Sequence, residues 1–89
     1  GDAVSELRVR YFAALRDVLG CQEEQVPVDG DGLSLASLRV HLVERHGAAA
    51  GALAAPGVRV AVNQAFAESA DPWLAPGDEV AFLPPVTGG

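Results

Sequence analysis

The residues best placed to do chemistry are the last ones. Leu83-Pro84-Pro85-Val86-Thr87-Gly88-Gly89 follows an apolar run from Val80, and no charged side chain comes after Glu79. The charge expected there is the terminal carboxylate, with a reference pKa of about 3.5 and so ionised at neutral pH. Pro84 and Pro85 fix φ and lack N–H donors, so they end a sheet ladder and hold the chain extended. Val86 and Thr87 also favour extended backbone. Gly88 and Gly89 have no Cβ and make the thinnest thread a polypeptide offers, able to enter a channel that any side chain would block. Fully extended, residues 84–89 reach roughly 20 Å, far enough to carry a carboxylate deep into another protein. A carboxylate is a poor acyl donor, because attack pushes negative charge onto an anion. Activation must come from outside, most simply as a mixed anhydride with AMP made from ATP.

No other residue competes with that carbonyl carbon. Cys21 follows a short helix whose C-terminal dipole disfavours a thiolate, and no basic residue flanks it, so it is expected to be a thiol of low reactivity. The serines and Thr87 lack a base–acid pair, and no glycine-rich phosphate loop follows a strand. Neither His41 nor His46 has a cysteine, aspartate or second histidine at ligand spacing along the chain, so no metal site is expected. Asp29-Gly30-Asp31-Gly32 begins like a calcium loop, but Leu33 stands at the next ligand position and no glutamate closes it, so it reads as a turn.

Composition narrows the class. A chain of 89 residues with 49% apolar and 20% charged residues is globular and of one-domain size. Its single cysteine excludes an internal disulfide framework and fits a reducing, cytoplasmic setting. No apolar run approaches a membrane span, and no basic-then-apolar leader is present. The formal charge of −6, with arginine as the only strong base and no lysine, argues against nucleic acid and anionic membrane. It favours a partner with a positive docking face.

The elements that must position the tail follow from periodicity. Leu7, Val9 and Tyr11 alternate with Arg8, Arg10 and Phe12 as a strand over about 6–12. Leu15, Val18 and Leu19 then share one face of a short helix, which Gly20 ends. Gln22 to Val28 is a weaker strand, placed at an edge by Pro27. Ser34 is the expected N-cap of the main helix, with Leu33 stapled toward Leu38; Leu35, Leu38, Leu42 and Val43 form its apolar stripe, and Arg39, Glu44 and Arg45 lie outside it. His46-Gly47 ends that helix. Residues 48–56 read as an irregular turn or a one-turn helix, and Val58 to Val62 is a strand that turns at Asn63-Gln64 into a short return through Phe66. Asp71-Pro72-Trp73-Leu74 is expected to bury an aromatic, Pro76-Gly77-Asp78 is a tight turn, and Glu79–Leu83 is the last strand. This order fits an α+β β-grasp, or ubiquitin-like, domain: a mixed sheet of about five strands with the main helix on one face and the last strand beside the first. Val80 and Phe82 then point into the core, and Ala81 and Leu83 point to an open face.

Three segments carry a resemblance. Asp78 to Gly89, almost residue for residue, resembles the ending of the small sulfur-carrier subunits of molybdopterin synthases. The Phe12-Ala13-Ala14-Leu15-Arg16-Asp17 helix and the Ala61-Val62-Asn63-Gln64 string are similar to the same family. The resemblance implies that residues 1–89 form one ubiquitin-like carrier domain with 84–89 as its tail. It implies a chain that is not catalytic alone and binds no cofactor. A ubiquitin-activating-type adenylyltransferase would use ATP to make the Gly89 acyl-adenylate, and a sulfur donor protein would convert it to a thiocarboxylate. The tail would enter the large catalytic subunit, within a heterotetramer, and give sulfur to precursor Z to build the molybdopterin dithiolene. Gly88 would permit threading, and Phe82, Leu83, Pro84, Pro85, Val86 and Thr87 would dock the tail, with Arg8 or Arg10 at the rim. A carrier for thiamine or cysteine synthesis, or a ubiquitin-like protein modifier, stays open as an alternative.

Overall fold

In a computed structural model, residues 5–85 are described. In chain order they form β1 (Glu6–Tyr11), α1 (Ala14–Leu19), β2 (Glu23–Pro27), β3 (Leu33–Ser34), α2 (Leu35–His46), a 3₁₀ helix (Gly47–Ala54), β4 (Arg59–Val62), β5 (Ala65–Phe66), β6 (Trp73–Leu74) and β7 (Glu79–Leu83). The main sheet runs β2-β1-β7-β4-β5. β1 and β7 are parallel, every other neighbouring pair is antiparallel, and β2 is an edge as Pro27 requires. A small β3–β6 ribbon stands apart. This is the β-grasp order, with the last strand in the middle.

The period-two pattern of β1 holds: Leu7, Val9 and Tyr11 are buried and the residues between them face outward. In register beside them, Val80 and Phe82 of β7 have no exposed surface. Leu35, Leu38 and Leu42 of α2 close the core from above. The Tyr11 and Phe82 rings stack with centroids 6.0 Å apart. Ser34 caps α2 by accepting the Ser37 amide at 3.1 Å, and Asp71 accepts the Ala36 amide at 2.8 Å from far along the chain.

Four side chains depart from their expected places. Val18 and Val43 are about half exposed, because each helix is covered on one side only and the buried stripe is narrower than the run of apolar residues. Trp73 is 61% exposed: β6 pairs only with β3, so alternation buries Leu74 and turns the indole out, where it donates to the Asp31 carbonyl. Arg39 is half-buried rather than outside, its guanidinium 5.4 Å from the Phe82 centroid and donating to the Leu53 carbonyl at 2.9 Å. It ties α2 to the 3₁₀ helix.

One polar cluster joins the far edge strand to the helix. Glu24 on β2 receives the Tyr11 hydroxyl at 2.6 Å and Arg45 at 2.8 Å, and lies 2.6 Å from His46 Nε2. Burial opposes ionisation of Glu24, but the hydrogen bonds from Tyr11, Arg45 and His46 outweigh it and hold the carboxyl below its usual range. Burial, then the Glu24 carboxylate, pushes the Tyr11 phenol far up, so it stays a donor.

A carboxyl lowered by folding contributes stability that is complete above its ordinary pKa of about 4.3 and is lost as pH falls through the folded value. Glu24→Gln, which mimics the protonated acid, is expected to cost about 1–3 kcal/mol at pH 7. Its difference from the wild type should shrink toward zero in acid. Denaturant melts at pH 7 and pH 3 check this, and a pH-independent difference would contradict it.

Candidate functional site

β7 leads out of the sheet into Pro84, which is half-buried, and Pro85, which is exposed. Pro85 leans on Gly57, whose φ is +87°; a Cβ there would stand 2.7 Å from the Pro85 Cβ. Glycine is required on both counts, since the left-handed backbone disfavours a side chain and the proline fills the space one would occupy. The entry to β7 is fixed as firmly. Asn63 and Gln64 take φ of 50° and 69°, the two-residue hairpin geometry. The Asn63 carboxamide accepts the Glu79 amide at 2.9 Å and donates to Asp78 at 3.1 Å. Val86, Thr87, Gly88 and Gly89, the carrier residues expected from sequence, lie outside the described residues.

The sheet face away from α2 carries the second half of the site. Register aligns Arg10, Ala81, Ala61 and Phe66 in one row across β1, β7, β4 and β5. The two alanines at its centre are too short to fill the row, leaving a shallow, mostly apolar depression of about 200 Å³ beside the tail's root. Phe12, Phe66 and Leu83 stand around it. Phe66 is about half exposed beneath the Arg59 guanidinium, 3.6 Å from its centroid, and Arg10 lies 4.9 Å from the Phe12 centroid.

Two expected docking roles change. Phe82 does not face a partner: it is fully buried against Tyr11, because alternation in β7 puts Val80 and Phe82 inside when Ala81 and Leu83 face out. Leu83 does line the open face, half-buried. Arg8 and Arg10 are not free rim charges, since both lie 3.6–3.8 Å from Glu23 and Glu79 in a balanced ladder across β2, β1 and β7. Phe12 and Phe66 were missed because one was read as the helix entry and the other as the end of a short return. Pairing Phe66 with Ala61 across the Asn63-Gln64 turn would have found it.

Cys21 stands beside the Glu24 carboxylate. Burial, then the neighbouring Glu24 carboxylate, pushes its thiol up. Among the described residues no helix is long and apolar enough to cross a membrane.

The model of the ThiS family matches residues 9–89. The molybdopterin synthase sulfur carrier subunit of Escherichia coli is 39% identical over 83 residues, covering 93% of this chain and 99% of that protein. The subunit of the same name from Haemophilus influenzae is 36% identical over 85 residues, with the same coverage. In structure, the small archaeal modifier protein 1 of H. volcanii superposes with a TM-score of 0.73 at 28% identity, over 92% of this chain and 99% of that one.

If Gly57 makes room for the tail's root, Gly57→Ala should lower stability by about 1–2 kcal/mol through its left-handed backbone alone, and also move Pro85. Denaturant titration and the NMR shifts of Pro85 report both. Unchanged stability and shifts would mean that Pro85 does not rest there.

Proposed function

The chain belongs to the ThiS family, and from that premise we propose that it is the sulfur carrier subunit of a molybdopterin synthase. The observation that carries this reading is that the family match extends to Gly89, so the two terminal glycines fall inside the region shared with the family. Near-complete coverage of the two sulfur carrier subunits supports it.

The Gly89 carboxylate attacks the α-phosphate of ATP on an adenylating enzyme, and pyrophosphate leaves. The acyl-adenylate then carries AMP, a far better leaving group than oxide. Hydrosulfide delivered by a sulfur donor attacks the acyl carbon, the bond to AMP breaks and AMP departs, and loss of the sulfur's proton leaves a thiocarboxylate. Inside the large subunit that sulfur passes to precursor Z, and two carriers supply the dithiolene. The catalytic groups for these steps belong to the partner proteins. The chain presents one acyl carbon on a thin thread, from a root held by Gly57 and the central strand. With no lysine in the sequence, it offers no side-chain amine to capture the activated acyl group of its own tail or of another copy. The setting is the cytoplasm, where ATP and reduced sulfur donors are at hand.

The depression lined by Phe12, Phe66 and Leu83 is the docking surface for the large subunit, because an apolar hollow at the tail's root fixes where the thread starts. Likeness to a small archaeal modifier protein favours one alternative, in which the activated Gly89 forms isopeptide bonds with target lysines. Intact mass of the protein from cells separates the two. A carrier appears as a free form in which sulfur has replaced one oxygen, and a modifier appears joined to larger proteins.

Deleting Gly89 should leave the melting curve unchanged and abolish molybdopterin formation with purified partners; continued formation would exclude the terminal carbonyl as the carrier atom. Phe66→Ala should weaken binding of the large subunit roughly thirtyfold, and Leu83→Asp more, because central apolar anchors carry about 2 kcal/mol or more. Titration calorimetry beside a melting curve reads both. Unchanged affinity would remove the depression from the interface, and a collapsed melting curve for Phe66→Ala would make that ring structural.

A further inference from the structure

Three side chains that the carrier chemistry does not use meet on the helix side of the sheet. Cys21 and Glu24 flank the start of β2, and His46 is the last residue of α2. The sequence separates His46 from the pair, but α2 crosses the sheet and sets its last turn above Glu24. One donor atom from each, Cys21 Sγ, a Glu24 carboxylate oxygen and a His46 ring nitrogen, lies within 4.8 Å of the others. We propose that Cys21, Glu24 and His46 form a binding site for one Zn²⁺ ion, with water as the fourth ligand.

The donor set suits that ion: thiolate, imidazole and carboxylate are the three groups zinc takes from proteins, and sulfur with nitrogen disfavours magnesium and calcium. Bonds of about 2.3 Å to sulfur and about 2.0–2.1 Å to nitrogen and oxygen set tetrahedral donors roughly 3.3–3.6 Å apart. Cys21 Sγ already stands 3.9 Å from Glu24 Oε2. His46 Nε2 and Glu24 Oε2, at 2.6 Å, need to part by about 0.7 Å to admit the ion between them. The ion would take the place of the proton between His46 Nε2 and Glu24 Oε2, which moves to Nδ1 or to solvent, and the Cys21 proton leaves to solvent as the sulfur–metal bond forms.

The surroundings are built as a metal site needs. The His46 and Glu24 side chains are 16% and 13% exposed, so an ion can enter and one position stays open to water. Arg45 holds the other Glu24 oxygen at 2.8 Å, and the Tyr11 hydroxyl bonds Oε2 at 2.6 Å, so the carboxylate is oriented before an ion arrives. Arg45 also brings positive charge close, which makes this site weaker than a closed four-ligand one. The site is on the opposite face from the depression, so filling it leaves the tail free. A bound ion would clip the edge strand to α2 and stabilise the fold by mass action.

The test uses the untagged full chain and Co²⁺ as the spectroscopic probe. The wild type should develop a thiolate-to-cobalt charge-transfer band and tetrahedral visible bands that saturate at one equivalent and are displaced by Zn²⁺. Cys21→Ser should abolish the charge-transfer band, and His46→Gln should weaken binding at least tenfold. No band in the wild type, or unchanged affinity in His46→Gln, would overturn the site. Because a variant can lose structure, alkylation of Cys21 in the wild type serves as a second measurement. Zn²⁺ should slow it at least tenfold, and an unchanged rate would overturn the proposal.

Discussion

The position of β7 governs this molecule. It pairs with β1 on one side and β4 on the other, so its backbone groups are satisfied along both edges. Its inward residues, Val80 and Phe82, are fully buried under α2. Truncating a ring such as Phe82 in a core costs about 3–5 kcal/mol, a large part of what holds a small domain folded. The same strand supplies the outer face: Ala81 floors the depression and Leu83 borders it. Alternation of side chains lets five residues supply both the core and the open face of the sheet.

The two charged networks differ in weight. The Arg8, Arg10, Glu23 and Glu79 ladder is largely exposed, with separations of 3.6–3.8 Å, and such pairs contribute about 0–1 kcal/mol. Its effect is to neutralise the outer face beside the depression. The Glu24 cluster is more enclosed and has bonds of 2.6–2.8 Å. It secures β2, which has only one sheet neighbour, to the last turn of α2. Loss of the exposed ladder is expected to cost little, whereas loss of Glu24 removes the side-chain tie of β2 to α2 and leaves that edge held by its backbone ladder to β1.

The Ser34 cap and the turns at Gly20, Asn63 and Gly77 were legible because each rests on local pattern or on a residue with special backbone freedom, whereas the central place of β7 came from the order of elements together with the family resemblance. Val18, Val43 and Trp73 were misplaced for a shared reason: periodicity groups residues on a face but does not say whether another element covers it. Asp71 capping α2, Arg39 against Phe82, and the meeting of Cys21, Glu24 and His46 depend on approaches between distant segments, and no spacing along the chain encodes them. The depression was half legible. Ala81 and Leu83 followed from alternation in β7, but its hollow floor also needs Ala61, and the identity of that neighbour is a matter of register.

The double pairing of β7 also has a mechanical meaning. A force along the β7 axis acts on the ladders to β1 and β4, which lie across that axis. They are loaded together in shear rather than opened one bond at a time, as they would be in a strand peeled from an edge. Tension along β7 is therefore borne by two ladders at once, without peeling the strand from the sheet. The β2 edge has no such protection: traction there would unzip it from a single neighbour.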